Sequence, residues 1–531
     1  MDPLIITTEG VAKLLHKLNP AKASGPDAIP NRILKTCADT LAPSLADIFR
    51  SSIETGQLPM DWLSANISAV YKKGDRHKAE NYRPVSLTSV ACKLLEHIVC
   101  RHLHSHFEKH NILTTRNHGF RAGHSCETQL LVTMDELLKS HDAGHQTDVI
   151  ILDFSKAFDT VPHSSLLHKL EHYGVRGPIH IWLTNFLTRR SMRVVLEGVA
   201  SEEVKVESGV PQGTVLGPLL FLCHINDLPD SVTSSVRLFA DDCLLYREIR
   251  SFQDHLTLQA DLHNLEKWAD QWGMRFNALK CYVLPTSTKS SFLYSLCGTI
   301  LKNVDKNPYL GIQLSSDLKW ITHITSLCKK TGATLGFLRR NLRSWPQDCR
   351  RTAYVALVRS TLEYGAVVWD PYTRQEIDKL ERIQRQAARF ILGDYRSREK
   401  GCVTEMLKKL ELTTLEERRR HLRLTMLYKV ACGKIPALPP ESFLTPLDNT
   451  RRRVRPRRFA DHHTQNPIQR QACNNSRGFK IPTARSDQYK ESFFVKTPLE
   501  WNILSDDIVT KETVGAFSAA VCKLGPATFN P

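Results

Sequence analysis

No two cysteines in this chain stand at CxxC spacing. Its 14 cysteines lie singly from Cys37 to Cys522, which argues for reduced thiols inside a cell and against a disulfide framework or a zinc knuckle. Apolar runs of about eighteen residues, the length that crosses a bilayer, are missing too, so no segment is expected to span a membrane. The opening residues, MDPLIITTEG, lack the basic-then-apolar layout of a signal peptide. No internal repeat occurs. Acidic residues are in deficit, 55 against 72 lysines and arginines, which gives a formal net charge of +17 and a pI near 9.3. An excess of that size favours a polyanionic partner, usually nucleic acid, or an anionic membrane surface.

What is present is an ordinary folded balance, 24% charged and 41% apolar, in a chain of 531 residues. That length exceeds one typical core, so about two to four subdomains are expected. Helical spacing covers Thr88 to Lys109, with Val90, Leu94, Leu95, Ile98 and Leu103 on one side. DVIILDF (Asp148 to Phe154) is a short unbroken apolar run, the pattern of a strand buried on both faces. MRVVLEG and EEVKVES read as a hairpin, and further strands are expected near Phe276 to Leu284 and Tyr309 to Leu314. Past Lys319 the chain turns helical and basic, with Ile377, Leu380, Ile383, Ala387 and Ile391 on one packing stripe. The run RRRVRPRR (Arg451 to Arg458) is open between a nucleic-acid contact, an import signal and a solvated arm.

The stretch RLFADDCLLY sets two adjacent aspartates between apolar runs. It reads as two short strands joined by a two-residue turn, Asp241-Asp242. Asp-Asp is a poorer hairpin turn than Asn-Gly or Asp-Gly, so something other than turn geometry selects the carboxylates. Asp153 emerges from the end of the VIIL strand. Carboxylates packed together repel unless a cation neutralises them. Oxygen ligands of this kind suit Mg²⁺, which keeps waters and accepts phosphates as its other ligands. Two such ions, about 4 Å apart, can clamp the attacking and leaving oxygens of a phosphoryl transfer.

ILDFSKAFDTVPH, SGVPQGTVLGPLLF and FADDCLLY, in that order, resemble motifs A, B and C of reverse transcriptases. The likeness is to those of non-LTR retrotransposons (LINE-like, of the jockey and chicken-repeat type). It extends through KASGPDAIPNRILK, NYRPVSL and HGFRAGHSCETQL upstream. Downstream it includes WGMRFNALKCYVL, like motif D, and YLGIQLSSDLKW, like the primer grip. The resemblance implies an α+β right-hand polymerase of fingers, palm and thumb, followed by a helical basic C-terminal region. The expected division is 1–60 as an N-terminal extension and start of the fingers, 61–320 as the fingers and palm core, 321–445 as a thumb-like region and 446–531 as a basic C-terminal segment.

The same resemblance assigns roles. Asp153 and Asp241 would hold two Mg²⁺ ions (Mn²⁺ as an alternative) with the Phe154 carbonyl as a backbone ligand, and Asp242 would support them. Asp159 falls outside the matched metal positions and is expected to be structural. Phe158 matches the aromatic that excludes a ribose 2′-hydroxyl. Gln212 and Gly213 match the motif B pair near nucleotide and template. Lys72, or Lys73 in its place, and Arg83 match the residues that grip the triphosphate. Lys280 matches the motif D lysine that protonates pyrophosphate; a solvated loop lysine is the plainer alternative.

The implied activity is RNA-directed DNA polymerisation, with RNA template, DNA primer and dNTPs as partners and no membrane. The setting would be intracellular, in the nucleus or a cytoplasmic ribonucleoprotein. A nucleic-acid-binding remnant that no longer polymerises is the alternative. No endonuclease motifs precede Asn19 and no RNase H acid set is found, so nicking is expected to come from elsewhere or from a longer reading frame.

Overall fold

The computed structural model describes residues 1–287, 289–447, 473–525 and 528–529; the arginine run at 451–458 lies outside the described residues. The strands that frame the site are β1 (Ser64–Tyr71), β2 (Tyr82–Leu87), β3 (Gln146–Leu152), β4 (Ser191–Leu196), β5 (Ser235–Phe239), β6 (Asp242–Ile249) and β7 (Tyr282–Pro285). The helices packed on them are α1 (Val90–Lys109), α2 (Cys126–Asp142), α3 (Gly217–Ile225), α4 (Phe252–Gln271), α5 (Ile321–Asn341), α6 (Arg374–Leu392), α7 (Leu415–Ala431) and α8 (Phe493–Ile503).

β3 is the axis of the central sheet. It runs antiparallel to β6 on one side and to β7 on the other, and β5 closes the edge beyond β6. Its alternate side chains enter two different cores. Ile150 and Leu152 join Cys243, Leu245 and Val283 on the face covered by α1, α3 and α4. Val149 and Ile151 join Leu244, Tyr246 and Leu284 on the other face, against α2 and the helices past residue 320. A strand that serves two cores has no solvent face, which is why its sequence is an unbroken apolar run rather than an alternation.

A second sheet stands beside the first. β1 pairs antiparallel with β2 and parallel with β4. β4 turns back onto two short pieces, Val199–Ala200 and Val204–Lys205, so the predicted hairpin forms with an interrupted return strand. The segment expected as a strand from Phe276 is broken. Phe276 makes one isolated bridge to Phe154, residues Ala278–Lys280 form a tight turn, and the strand proper begins at Tyr282.

Beyond residue 320 the fold is helical. The predicted stripe of α6 is buried at Ile377, Leu380, Ile383, Ala387 and Ile391. This region is also held by a buried ion cluster. Asp370 accepts from Arg419 Nε at 2.7 Å, from Arg423 Nη1 and from Lys496 Nζ at 3.0 Å, while Arg423 also pairs with Glu500 at 2.7 Å. Burial opposes the Asp370 charge, but the three cations outweigh it and hold its carboxyl well below the usual range. Removing one partner of a buried cluster leaves the others uncompensated, at a cost of about 3–5 kcal/mol. Asp370→Ala should therefore destabilise the fold by about that amount in urea unfolding, and an unchanged midpoint would refute the role given to the cluster.

Candidate active site at the end of the central sheet

The site begins where β3 stops. Leu152 lies opposite Cys243, and the same register continued by one residue brings Asp153 beside Asp242. The chain is pinned as it leaves the strand. The Asp153 carbonyl accepts from Asn277 N at 2.8 Å, and Ser155 N donates to the Arg275 carbonyl at 2.8 Å. These bonds flank Phe154, whose ring stacks on Phe276 at 4.5 Å, and they leave the Phe154 carbonyl out of the bridge.

The hairpin differs from the expected one by a single residue. Phe239 pairs with Asp242, so the turn is Ala240-Asp241, and Asp242 is the first residue of β6. Ala240 has φ 55°, a left-handed conformation that favours glycine. Its amide donates to Asn117 Oδ1 at 3.2 Å, which helps hold the unfavourable turn. The shift separates the two aspartates: Asp241 projects from a turn, and Asp242 is fixed by strand pairing.

The electrostatics follow from that crowding. Both side chains are exposed at the cleft by surface area, yet the protein around their base displaces much of their hydration. Desolvation, followed by Asp241 and Asp153, pushes Asp242 up to about 6. Asp241 is raised too, by desolvation and by Asp153, against the opposing charges of Lys72 and Arg83. Lys72 and Arg83 of the β1–β2 hairpin both act on the Asp241 charge. Val70 pairs with Arg83, and Lys72 N donates to the Asn81 carbonyl at 2.8 Å. Lys280, at the end of its turn, puts Nζ 3.8 Å from Asp153 Oδ2.

The loop before α3 lines the next wall. Gly213 has φ 101°, and a Cβ there would come 2.7 Å from the Ser86 carbonyl oxygen; Ser86 N donates to the Gln212 carbonyl at 2.7 Å. Gln212 Nε2 donates to Asp159 Oδ1 at 2.9 Å. Phe158 is half-buried, stacked on Phe221 at 4.3 Å and touched edge-on by Phe120 at 6.3 Å. Two supports are not evident from the sequence. Asp159, expected only to be structural, orients Gln212. Glu96, buried on α1, accepts from Val215 N at 2.7 Å and Leu216 N at 3.1 Å and so caps the start of α3. Its signal was a lone carboxylate at a core position of an otherwise apolar helical stripe.

Among the described residues, no three His, Cys, Asp or Glu side chains gather closely enough to hold a metal ion on their own. The side chains gathered at the sheet end, Asp153, Asp241 and Asp242, offer hard carboxylate oxygens. Such an incomplete oxygen set fits Mg²⁺, whose other positions go to water and substrate phosphates.

Carboxylates at the end of a central antiparallel sheet, faced by a basic hairpin and a glycine-kinked loop, suit metal-assisted phosphoryl transfer. Residues 70–314 match the family model described as reverse transcriptase (RNA-dependent DNA polymerase). The chain's relatives include the RNA-directed DNA polymerase from mobile element jockey of Drosophila melanogaster, 28% identical over 73% of this chain and 44% of the relative. The probable RNA-directed DNA polymerase from transposon X-element of the same organism is 27% identical over 72% of this chain and 43% of its own length. That from transposon BS is 28% identical over 73% and 44%. The chain thus spans less than half the length of these relatives.

The raised carboxylates carry a stability consequence. The folded state holds protons on Asp242 that the unfolded state has released, so between about pH 4 and 6 stability falls as pH rises. Asp242→Asn should raise the melting temperature of the metal-free protein at pH 7.5, with the advantage shrinking to nothing by about pH 4. A gain that is the same at both pH values would contradict this.

Proposed function

We propose that the chain is an RNA-directed DNA polymerase of a non-LTR retrotransposon that extends a DNA primer on an RNA template from dNTPs. The observation that carries this reading is the meeting of Asp153, Asp241 and Asp242 at one sheet end, within the field of Lys72 and Arg83. The matched reverse transcriptase domain and the activities named for the relatives support it.

In this reading Arg83 binds the triphosphate as a planar fork and Lys72 as a point charge. Phe158, backed by Phe221, presents a rigid ring edge that excludes a 2′-hydroxyl. Gln212, oriented by Asp159, and the close backbone approach at Gly213 border nucleotide and template. Asp153, Asp241 and the Phe154 carbonyl would hold the divalent ions, with Asp242 supporting them. Two Mg²⁺ ions, or Mn²⁺, would supply the positive charge that neutralises the attacking and leaving oxygens. Lys280 Nζ, beside Asp153, gives a proton to the departing pyrophosphate. The charge of +17 fits a duplex partner bound through counterion release. The division at residues 60, 320 and 445 into fingers, palm, thumb and C-terminal segment, and an intracellular setting in nucleus or ribonucleoprotein, belong to the same proposal.

Purified protein should extend a DNA primer on an RNA template with Mg²⁺ and dNTPs, and Asp241→Ala should reduce extension by about a thousandfold or more. Phe158→Ala should admit ribonucleotides while retaining deoxynucleotide incorporation. Salt-dependent binding of primer–template with no extension by the wild-type chain would instead identify a binding remnant.

A further inference from the structure

The HGFR segment has a place in the fold that the polymerase roles above leave unused. Residues 116–118 run alongside β5 as an extra parallel piece of the central sheet. Leu238 N donates to the Arg116 carbonyl at 2.9 Å, and His118 N donates to the Leu238 carbonyl at 3.0 Å. Between them Asn117, only 3% exposed, turns its side-chain oxygen to two amides. Asn117 Oδ1 accepts from Gly119 N at 3.0 Å and from Ala240 N at 3.2 Å. The second is the amide of the left-handed turn residue directly before Asp241. The contact is close enough that a Cβ on Gly119 would lie 2.5 Å from Ala240 N.

The next residue continues the contact to the other side of the site. Phe120 is itself left-handed, φ 52°, and is 52% exposed. A bulky residue in that conformation is costly, and a large exposed ring gains little from burial. The ring edge lies against Phe158. Four residues thus touch the turn that carries Asp241 at one end and the aromatic wall at the other.

We propose that the Asn117–Phe120 loop is a brace that sets the position of Asp241 through the Ala240 amide and seats Phe158 from its open side. Asn117 is then a positioning residue, and Phe120 is a determinant of sugar selection that acts through Phe158. The kinetic part rests on the polymerase reading; the brace itself does not.

The test therefore has a structural and a kinetic arm. In Asn117→Ala the Ala240 amide loses its acceptor, and its hydrogen exchange should speed up at least tenfold. Asn117→Asp keeps an oxygen in place and should keep the protection. In primer extension, Asn117→Ala should lower kcat by roughly ten- to a hundredfold, as a small misplacement of a reacting group does, with KM for dNTP within about twofold. Asn117→Asp should recover most of kcat. Phe120→Ala removes an exposed ring, leaves folding intact and should raise ribonucleotide incorporation several-fold. Unchanged Ala240 exchange in Asn117→Ala overturns the brace, whether or not the protein polymerises. Faster exchange with kcat intact, or unaltered sugar discrimination in Phe120→Ala, overturns its catalytic part. Absence of extension by the wild-type chain, with exchange changed as expected, sinks the polymerase reading and leaves the brace standing.

Discussion

Three carboxylates at the end of a doubly buried strand repel one another, and the surrounding structure is arranged around that repulsion. A flexible loop would relieve it by moving the charges apart. Here relief by movement is blocked: β3 is locked between β6 and β7, and the exit of Asp153 is stapled to Asn277 and Arg275. The turn before Asp241 is held in a left-handed conformation by Asn117. The remaining means of relief are protons, held on Asp242 first by desolvation and then by the neighbouring Asp241 and Asp153, and cations, of which Lys280, Lys72 and Arg83 are resident. A rigid, under-neutralised set of carboxylate oxygens is an environment that suits a divalent cation.

Glycine and carboxylate divide the work on the opposite wall. Gly213 allows the loop before α3 to press its backbone onto β2, where any side chain would collide with Ser86. Glu96 then holds the loop's exit by capping two amides from inside the core. Burying that charge is costly, and the amides that face it offset much of the cost. The loop is therefore set by contacts on both sides of it rather than by its own sequence.

Much of this was legible from the chain. The unbroken VIIL run revealed a two-faced strand because burial on both sides erases alternation. The α6 stripe emerged because helical periodicity survives in basic surroundings. The site aspartates stood out as charges in the wrong company. Other features were hidden for physical reasons. The turn shifted from Asp241-Asp242 to Ala240-Asp241 because a distant residue, Asn117, holds Ala240 in a conformation that local propensity disfavours. The expected strand from Phe276 broke because its backbone is used by Asp153 and Ser155. The bond between Asp159 and Gln212 joins residues far apart along the chain. Long-range hydrogen bonds leave no local pattern to read.

The two-core sheet also bears on how such a protein can be inherited. The segment matched as a reverse transcriptase ends at residue 314, but one face of its central sheet is covered by helices that come later in the chain. Val149, Leu244, Tyr246 and Leu284 share a core with Leu380, Leu424, Phe494 and Trp501, and the far end of the chain ties back to Asp142 of α2 through Arg485 and Ser486. The matched segment is thus not a module that recombination could move by itself. An exchange that swapped residues 70–314 and left the later helices behind would graft a sheet onto a cover shaped for another. Motif and cover must descend together.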